Sequence, residues 1–139
     1  MSDVNNWNQK IIEEFRANGG KVGGPFDGAP VLLLHTTGAK TGRERVNPVM
    51  YLELGGRTFV FASKAGAPTN PDWYHNLRAN PDVTAEIGTA TISARAVPIE
   101  GSERDEIYAE QARRYPGFQE YQEKTDRVIP VVELVPVVA

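Results

Sequence analysis

The sequence predicts an α+β protein, a small antiparallel β-barrel with a few peripheral helices. Three observations indicate this fold: about six strand-like runs, short glycine-containing connections between them, and few segments with helical periodicity. Short connections join neighbouring strands in antiparallel order, and such a set of strands buries its apolar faces by closing on itself. The 139 residues are predicted to form one domain, residues 1–139.

An amino-terminal helix is predicted over residues 1–18. Four apolar residues stand there at helical spacing, Val4, Trp7, Ile11 and Phe15. Residues 19–30 hold five glycines and two prolines, and we predict a flexible link rather than a domain boundary. The apolar face of the helix can pack on the barrel or lie on a membrane surface. Because its polar face is not basic, packing on the barrel is favoured.

Strand-like runs occur at 31–37, 46–54, 57–63, 83–87, 91–98 and 128–135. Gly55-Gly56 and Gly88-Thr89 each separate two of these runs and predict two hairpins. Pro48 stands inside the second run, although a central strand does not tolerate the missing N–H donor. We therefore predict an edge position or a bulge there, near the mouth of the barrel.

Short helices are predicted between and after these runs. Asn70 as cap and Pro71 at the first helical position predict a helix over 70–79. Ser102 begins a capping-box pattern that opens a further helix, which the Pro-Gly pair at 116–117 ends. A last short helix is predicted to carry the aromatic residues that follow this break.

The bulk composition excludes several classes of function. The net charge of −3 lacks the basic excess of a general nucleic-acid binder, so no nucleic acid is expected as a partner. The absence of cysteine excludes disulfides, thiolate metal sites and cysteine nucleophiles. The two histidines are isolated, and no metal site is expected. Neither a signal sequence nor a long apolar span is found, which predicts a cytoplasmic protein.

The turn between the first two strand-like runs carries the clearest functional signal. Lys40, Arg43 and Arg45 stand close together around two glycines. Residues 31–64 carry a net charge of +3, so the rest of the chain, which is −3 overall, carries −6. A local reversal of sign is typical of a site for a small anion, because backbone N–H groups can approach it at the glycines and the cations add charge. The alternative, a merely solvated turn, fits Arg43 alone better than the whole set.

Four motifs together resemble the deazaflavin-dependent nitroreductase and quinone reductase family. They are His35-Thr-Thr-Gly-Ala-Lys-Thr-Gly42, Arg45-Val-Asn-Pro48, Ala62-Ser-Lys-Ala-Gly66 and Asn70-Pro-Asp-Trp-Tyr-His-Asn-Leu-Arg-Ala-Asn-Pro81. The similarity runs from about Trp7 to Val135. It implies a split β-barrel of the FMN-binding type. It also implies that reduced coenzyme F-420, a deazaflavin with a phosphate and an oligoglutamate tail, gives a hydride to a small-molecule quinone or nitroaromatic.

The resemblance assigns residues to two parts of one site. The implied cofactor-binding residues are Lys40, Arg45, Val46, Asn47, Pro48, Ala62, Ser63, Lys64, Ala65, Gly66, Trp73 and Asn76. The implied substrate-binding residues are Met50, Trp73, Tyr115, Phe118 and Tyr121. Tyr115 and Tyr121 are the implied catalytic residues, because their hydroxyls can orient the acceptor. Met50 and Phe118 stand where nitroimidazole-activating members carry tyrosine, which argues against activity on bicyclic nitroimidazoles.

Alternatives remain open at the level of residues and of function. Residues 63–66 can form a tight turn that simply needs a flexible glycine, and Trp73 and the aromatic residues 115–121 can be packing residues. The functional alternatives are an FMN-binding split-barrel oxidoreductase, similar to pyridoxamine-phosphate-oxidase-like proteins, and a non-catalytic F-420-binding module. A weak association of residues 3–18 with the inner membrane face is the alternative to packing on the barrel. The sequence specifies neither the oligomeric state nor the physiological acceptor.

Overall fold

The computed structural model describes residues 3–22 and 30–137, and the side chains of all of these except 3–8 and 65. The helices in this part of the chain are α1 (Asp3–Ala17), α2 (Asp72–Ala79), α3 (Gly101–Arg114) and α4 (Gly117–Glu123). The strands are β1 (Val31–Thr37), β2 (Glu44–Leu54), β3 (Arg57–Phe61), β4 (Asp82–Ile87), β5 (Ala90–Ile99) and β6 (Val131–Pro136). A 3-10 turn, Lys64–Gly66, follows β3. Most of the predicted link over 19–30 lies outside the described residues.

These six strands form a closed antiparallel barrel in the order β1-β2-β3-β6-β5-β4. β2 and β3 are joined across Gly55 and Gly56, whose φ angles of 58° and 80° require glycine. β4 and β5 are joined across Gly88, which also has a positive φ. Both predicted hairpins are present, and the predicted α+β barrel is confirmed.

Alternate side chains of the strands fill the interior of the barrel. Leu34, Val60 and Leu134 are almost completely buried there. Trp73 and Leu77 of α2 pack against the same interior cluster. This apolar packing fixes α2 to the barrel, so the polar residues of α2 are held at a defined place beside the strand ends.

The outer surface of the barrel is covered by the other helices. In the part of α1 whose side chains are described, Ile11 and Phe15 pack against Leu33 of β1. For these residues the helix therefore packs on the barrel, as the sequence favoured over a membrane surface. The side chains of Val4 and Trp7 lie outside the described ones. No helix in the described part of the chain is long and apolar enough to cross a membrane.

α3 and α4 cover a second patch of the outer surface. Phe61 of β3 makes edge-to-face contacts with Tyr108 and Phe118, with ring centroids 5.9 and 5.7 Å apart. The buried Tyr108 hydroxyl donates a 2.6 Å hydrogen bond to the Phe118 carbonyl oxygen. Burial raises the pKa of Tyr108 to about 12, and the residue holds the two helices together.

Both predicted helix caps are wrong. The N-cap of α2 is Pro71, because the Asn70 Oδ1 atom accepts a 2.7 Å hydrogen bond from Arg127 Nη1 instead of capping the helix. A charged donor makes the stronger hydrogen bond. α3 begins at Gly101 with Glu100 as N-cap, and its N-cap makes no side-chain hydrogen bond, so the capping box at Ser102 is not formed.

Several strand boundaries also differ from the prediction, and β3 ends at Phe61 instead of residue 63. β2 begins earlier, at Glu44, because its ladder with β1 continues to the pair Thr37 and Glu44. β6 begins later, at Val131, and Val128 is exposed. Residues 128–130 therefore belong to the connection between α4 and β6 and not to the β6 ladder.

An ion-pair network joins α1 to the barrel. Arg16 Nη2 lies 2.7 Å from Glu86 Oε2, and Arg16 Nε donates a 3.2 Å hydrogen bond to Glu86 Oε1. The His35 Nε2 atom lies 2.6 Å from the same carboxylate. The Arg16 guanidinium holds the pKa of Glu86 below its usual range, His35 acts in the same direction, and burial opposes both.

We expect the stabilisation from this network to be lost in acid. The pKa of Glu86 is lower in the folded than in the unfolded chain, so its contribution is complete above the unfolded value of about 4.3 and is lost as the pH falls through the lower pKa of the folded state. Because Arg16 is half exposed, Glu86→Gln should reduce the free energy of unfolding by only about 0.5–1 kcal/mol at neutral pH and by clearly less near pH 3. Urea unfolding at both pH values measures this difference.

The matched control is Glu53→Gln, which removes an exposed carboxylate that has no ion pair in the described part of the chain. This variant should unfold like the wild type at both pH values. An equal loss of stability for Glu86→Gln at neutral and acid pH would contradict the ionic account of the network.

Candidate functional site

The barrel is closed through the pairing of β2 with β3, but this pairing covers only the last four residues of β2, and the rest of that edge is open. Residues 44–50 pair with β1, from Glu44 opposite Thr37 to Met50 opposite Val31. The ladder between β2 and β3 begins only at Tyr51, and beyond β3 the Ala62 N–H donates to the Pro130 carbonyl oxygen on the other side. Among the residues that the structure describes, 44–50 therefore have no strand partner on this side. Residues 62–66 follow the last residue of β3 that pairs with β2. We call the space between these two segments the split.

Pro48 stands on the one-sided part of β2. It lies opposite Leu33 in a ladder that runs without interruption, so the predicted alternative of a bulge is wrong and the alternative of an edge position holds. The missing N–H donor of proline is tolerated because β3 does not pair with this part of β2.

The predicted site residues of β2 are divided between its two faces. Val49 packs in the barrel interior, and because side chains alternate along a strand, Arg45 and Asn47 share its face. Val46 and Met50 instead pack beside the α1 cluster. Arg45 is exposed and Asn47 half-buried, so these two polar side chains mark the interior side of the split.

The predicted anion-binding turn connects β1 to β2 and is held by its own backbone. Gly38 N–H donates to the Arg43 carbonyl oxygen at 2.7 Å, and Gly42 N–H donates to the Gly38 carbonyl oxygen at 2.9 Å. Gly42 has a φ of 71°, and a Cβ on Gly38 would lie 2.7 Å from Thr41 Oγ1. Both glycines are thus required by the geometry of the turn.

Three exposed cations project from this turn and the strand that follows it. They are Lys40, Arg43 and Arg45. Among the residues that the structure describes, none of them has a carboxylate within ion-pair distance. Cations held together without counter-charges raise the local potential and favour an anionic ligand.

Asn76 of α2 fixes the position of the turn. Its Oδ1 atom accepts a 3.0 Å hydrogen bond from the Ala39 N–H, and its Nδ2 atom donates to Thr36 Oγ1 at 3.3 Å. Asn76 is buried, as is its neighbour Trp73 in the interior cluster. Both were predicted to bind the cofactor. In this structure Asn76 holds the turn and Trp73 packs in the core, and their contact with a ligand stays a prediction.

The opposite side of the split is the connection after β3. Lys64 has a φ of 46°, in the left-handed region that a side chain seldom adopts, and Gly66 has a φ of 80°. The Lys64 Nζ atom donates to Thr69 Oγ1 at 3.3 Å. Such backbone strain is found preferentially at ligand sites. Of Ala65 only the backbone, inside the 3-10 turn, is described.

α4 packs directly against this connection. A Cβ on Gly66 would lie 2.8 Å from the Tyr121 carbonyl oxygen, so only glycine permits the approach. Tyr115 and Tyr121 are half-buried at the margin of the outer cluster, and neither hydroxyl has a hydrogen-bond partner within the described chain. Phe118 is buried between Phe61, Tyr108 and Tyr121, as the packing alternative predicted.

Sequence reasoning missed two residues at this site. Arg127 donates hydrogen bonds to the connection after β3, and burial lowers its pKa. Tyr51 stands where the β2 and β3 ladder begins, and its pKa is raised mainly by burial and further by Glu53 and Tyr115. A tyrosine next to Met50 was visible in the sequence. A single arginine in an irregular segment offers no pattern from which its partners could be found.

A separate cavity of about 410 Å³ lies at the diverging ends of β1 and β4. Its lining includes His35, Glu44, Asp82 and Ser93 and contains none of the predicted site residues. Two carboxylates suit an anion poorly. No group of three or more histidine and acidic side chains in the described part of the chain could hold a metal ion. We therefore place the candidate site at the split and not in this cavity.

A barrel in which one strand edge is left unpaired, with a basic glycine turn on one side of the opening and two tyrosines of the α3–α4 region on the other, defines a split-barrel protein with a candidate anion site. The family model for F420H(2)-dependent quinone reductase matches residues 7–136. The chain belongs to this family.

Individual relatives agree with this assignment. The F420H(2)-dependent quinone reductase Rv1261c of Mycobacterium tuberculosis is 40% identical over 127 residues, which cover 86% of this chain and 83% of the relative. The solved structure of an F420-H2 dependent reductase, FDR-A, is 42% identical with a TM-score of 0.69, covering 76% of this chain and 93% of that one. A chain solved as a domain-swapped dimer is 36% identical with a TM-score of 0.71, covering 95% and 97%.

The hold of Asn76 on the turn is testable by substitution. Asn76→Ala leaves the Ala39 N–H and the buried Thr36 hydroxyl without their partner, and we expect a loss of roughly 1–3 kcal/mol in the free energy of unfolding. Chemical denaturation measures it. The matched control is Asn80→Ala, which removes one long hydrogen bond of 3.4 Å to the Thr37 carbonyl oxygen and should cost clearly less. Equal costs for the two variants would contradict a special role of Asn76.

Proposed function

We propose that this protein transfers a hydride from reduced coenzyme F-420 to a quinone at the split. The observation that carries the proposal is the group of cations on the turn, which have no ion-pair partner in the described part of a chain that belongs to the F420H(2)-dependent quinone reductase family. The relatives named above bear that activity in their names. The proposal assigns the cofactor to the residues of both sides of the split.

The charges fit the anionic part of this cofactor. Lys40 and Arg45 would hold the phosphate and the acidic tail, Arg45 through its planar fork and Lys40 as a point charge. Because the rest of the chain carries a net negative charge, the electrostatic potential favours binding of an anion at the turn. Lys64, exposed on the opposite side, adds a fourth cation within the same region of the fold.

The connection after β3 fits the flat ring. Gly66 lies so close to α4 that it presents backbone rather than a side chain, and the small Ser63 precedes it. On the facing strand, the one-sided pairing of 44–50 leaves backbone polar groups without a strand partner. Backbone donors and acceptors on both sides would orient the ring without obstructing its reacting face.

The bound reduced deazaflavin supplies the hydride, so the protein needs to bind, orient and exclude water. Tyr115 and Tyr121 carry the only catalytic roles in the proposal. Their hydroxyls, which have no hydrogen-bond partner among the described residues, would donate hydrogen bonds to a carbonyl oxygen of the quinone. That oxygen gains negative charge as the quinone accepts the hydride. One proton then completes the hydroquinone and comes from solvent or a tyrosine hydroxyl. Quinone plus hydride plus proton balances the reaction.

The side chains near the split favour a quinone over a bicyclic nitroimidazole. Met50 is half-buried and Phe118 is buried, and neither offers a hydroxyl to a nitro group. A nitroaromatic acceptor remains part of the proposal as a second substrate class. We also propose a cytoplasmic location. Weak association of α1 with the inner membrane face is less favoured, because Ile11, Ile12 and Phe15 are buried on the barrel.

Titration of F-420 fluorescence with the purified protein tests cofactor binding. Arg45→Ala should weaken binding by roughly 1.5–3 kcal/mol, the scale of a charged hydrogen bond, and the loss should shrink as salt is added because the site is exposed. Arg113→Ala, on the outer helix α3, is the matched control and should bind like the wild type. Its guanidinium pairs with Glu110.

Equal affinities of Arg45→Ala and the wild type would remove the turn from the cofactor site. Purification with bound FMN and no affinity for F-420 would favour the flavin alternative. Binding of F-420 with no oxidation by any quinone or nitroaromatic would favour the non-catalytic module.

A further inference from the structure

We propose that Arg127 is a positioning residue for the cofactor, because it holds the connection between β3 and α2 in the shape that forms one side of the split. This inference rests on the proposed function. Arg127 belongs to the irregular segment between α4 and β6, and no motif of the site includes it. It acts through the backbone of its neighbours and does not itself need to touch a ligand.

The guanidinium of Arg127 gathers four acceptors from this connection. Nη2 donates to the Ser63 carbonyl oxygen at 2.8 Å, and Nη1 donates to the Ala62 carbonyl oxygen at 3.0 Å. Nε donates to the Ala67 carbonyl oxygen at 2.9 Å, and Nη1 also donates to Asn70 Oδ1 at 2.7 Å. Two of the acceptors precede the 3-10 turn and two follow it, so one side chain defines the path of residues 62–70.

This connection needs an external clamp. Beyond Phe61 it pairs with no described strand on the β2 side, and it contains Lys64 in a left-handed conformation. A strained backbone persists only when its surroundings hold it. The internal bonds, from Gly66 N–H to the Ser63 carbonyl oxygen and from Ala67 N–H to the Lys64 carbonyl oxygen, close the turn but do not attach it to the barrel.

Arg127 is itself held in place by a relay of hydrogen bonds. Arg104 Nη2 donates to Gln122 Oε1 at 2.7 Å, and Gln122 Nε2 donates to the Arg127 carbonyl oxygen at 2.8 Å. Arg104 also donates twice to the Ile129 carbonyl oxygen. The backbone at residues 127 and 129 is therefore anchored to α3 and α4.

The chemistry of Arg127 indicates geometry rather than charge pairing as its role. Within the described part of the chain, none of its hydrogen-bond partners is a carboxylate; all are carbonyl or amide oxygens. Partial burial lowers its pKa, a cost that an ion pair would offset. A planar guanidinium can reach several acceptors in fixed directions, and a lysine ammonium cannot.

The same clamp sets the spacing between the two parts of the site. Gly66 touches the backbone of Tyr121, so the position of the connection and the position of α4 depend on each other. If Arg127 is lost, the connection can relax away from its strained path. The affinity for F-420 should then fall. Turnover should fall further, because Tyr121 is no longer held at a fixed position relative to the connection.

The test compares Arg127→Ala, Arg127→Lys and the control Arg113→Ala, whose guanidinium pairs with Glu110 at the surface. Arg127→Ala should bind F-420 at least about tenfold more weakly, the loss equivalent to one charged hydrogen bond. Millimolar guanidinium should restore most of that affinity, whereas methylammonium should not. Arg127→Lys should stay weak, and Arg113→Ala should match the wild type with or without guanidinium.

A folded Arg127→Ala that binds F-420 as the wild type does would overturn the proposal. Wild-type affinity of Arg127→Lys would also overturn it, because it would show that only the positive charge of Arg127 matters. Should Arg127→Ala not fold, Asn70→Ala removes only one of the four acceptors and should weaken F-420 binding by about threefold; no change there would also count against the proposal. Amide hydrogen exchange without any cofactor tests the structural role of Arg127 separately from the proposed binding of F-420. Faster exchange over 62–70 in Arg127→Ala supports the clamp even if the wild type fails to bind F-420.

Discussion

The structure depends on one constraint: over residues 44–50, β2 is hydrogen-bonded to β1 and not to β3. A closed barrel normally leaves no free strand edge. Here only Tyr51–Leu54 of β2 pair with β3 and close the barrel. The preceding part of the strand pairs with β1 alone among the described strands. Pro48 fits this arrangement, since it has no N–H to leave unpaired.

Two polar clamps define the two sides of this opening. Asn76 ties the basic turn to α2, and Arg127 ties the connection after β3 to the segment before β6. Arg127 bonds mainly to backbone carbonyl oxygens, and Asn76 bonds to one backbone N–H and one hydroxyl. The two clamps therefore fix the position of the main chain and use none of the cations of the turn. A site for a cofactor that carries its own reactivity needs this kind of preorganised frame more than it needs acid–base groups.

Sequence reasoning found the barrel because strand periodicity and hairpin glycines are local signals. It found the basic turn for the same reason, since charge and glycine stand together within a few residues. The helix cap at Asn70 was wrong because local propensity competes with tertiary partners, and the Arg127 guanidinium is the stronger partner. The capping box at Ser102 was also wrong, since α3 begins before it, at Gly101. The division of β2 into an open and a paired part depends on the register with β3, which no local pattern encodes.

The roles of single residues were less predictable still. Arg127 was missed because its four partners are remote in sequence. Trp73 and Phe118 are buried aromatic residues whose packing role is visible and whose contact with a ligand stays a prediction. Family resemblance supplied the cofactor and the reaction class, and hydrogen-bond geometry supplied the reason why the site has its shape.

The central claim is that the cofactor binds at the split, between residues 44–50 and 62–66. Amide hydrogen exchange of the wild-type protein, with and without saturating F-420, tests it most directly. The account predicts slower exchange on both sides of the split and over the turn at 38–43, with no change around Asp82 and Ser93 at the separate cavity. Protection confined to that cavity, or absent from either side of the split, would contradict it.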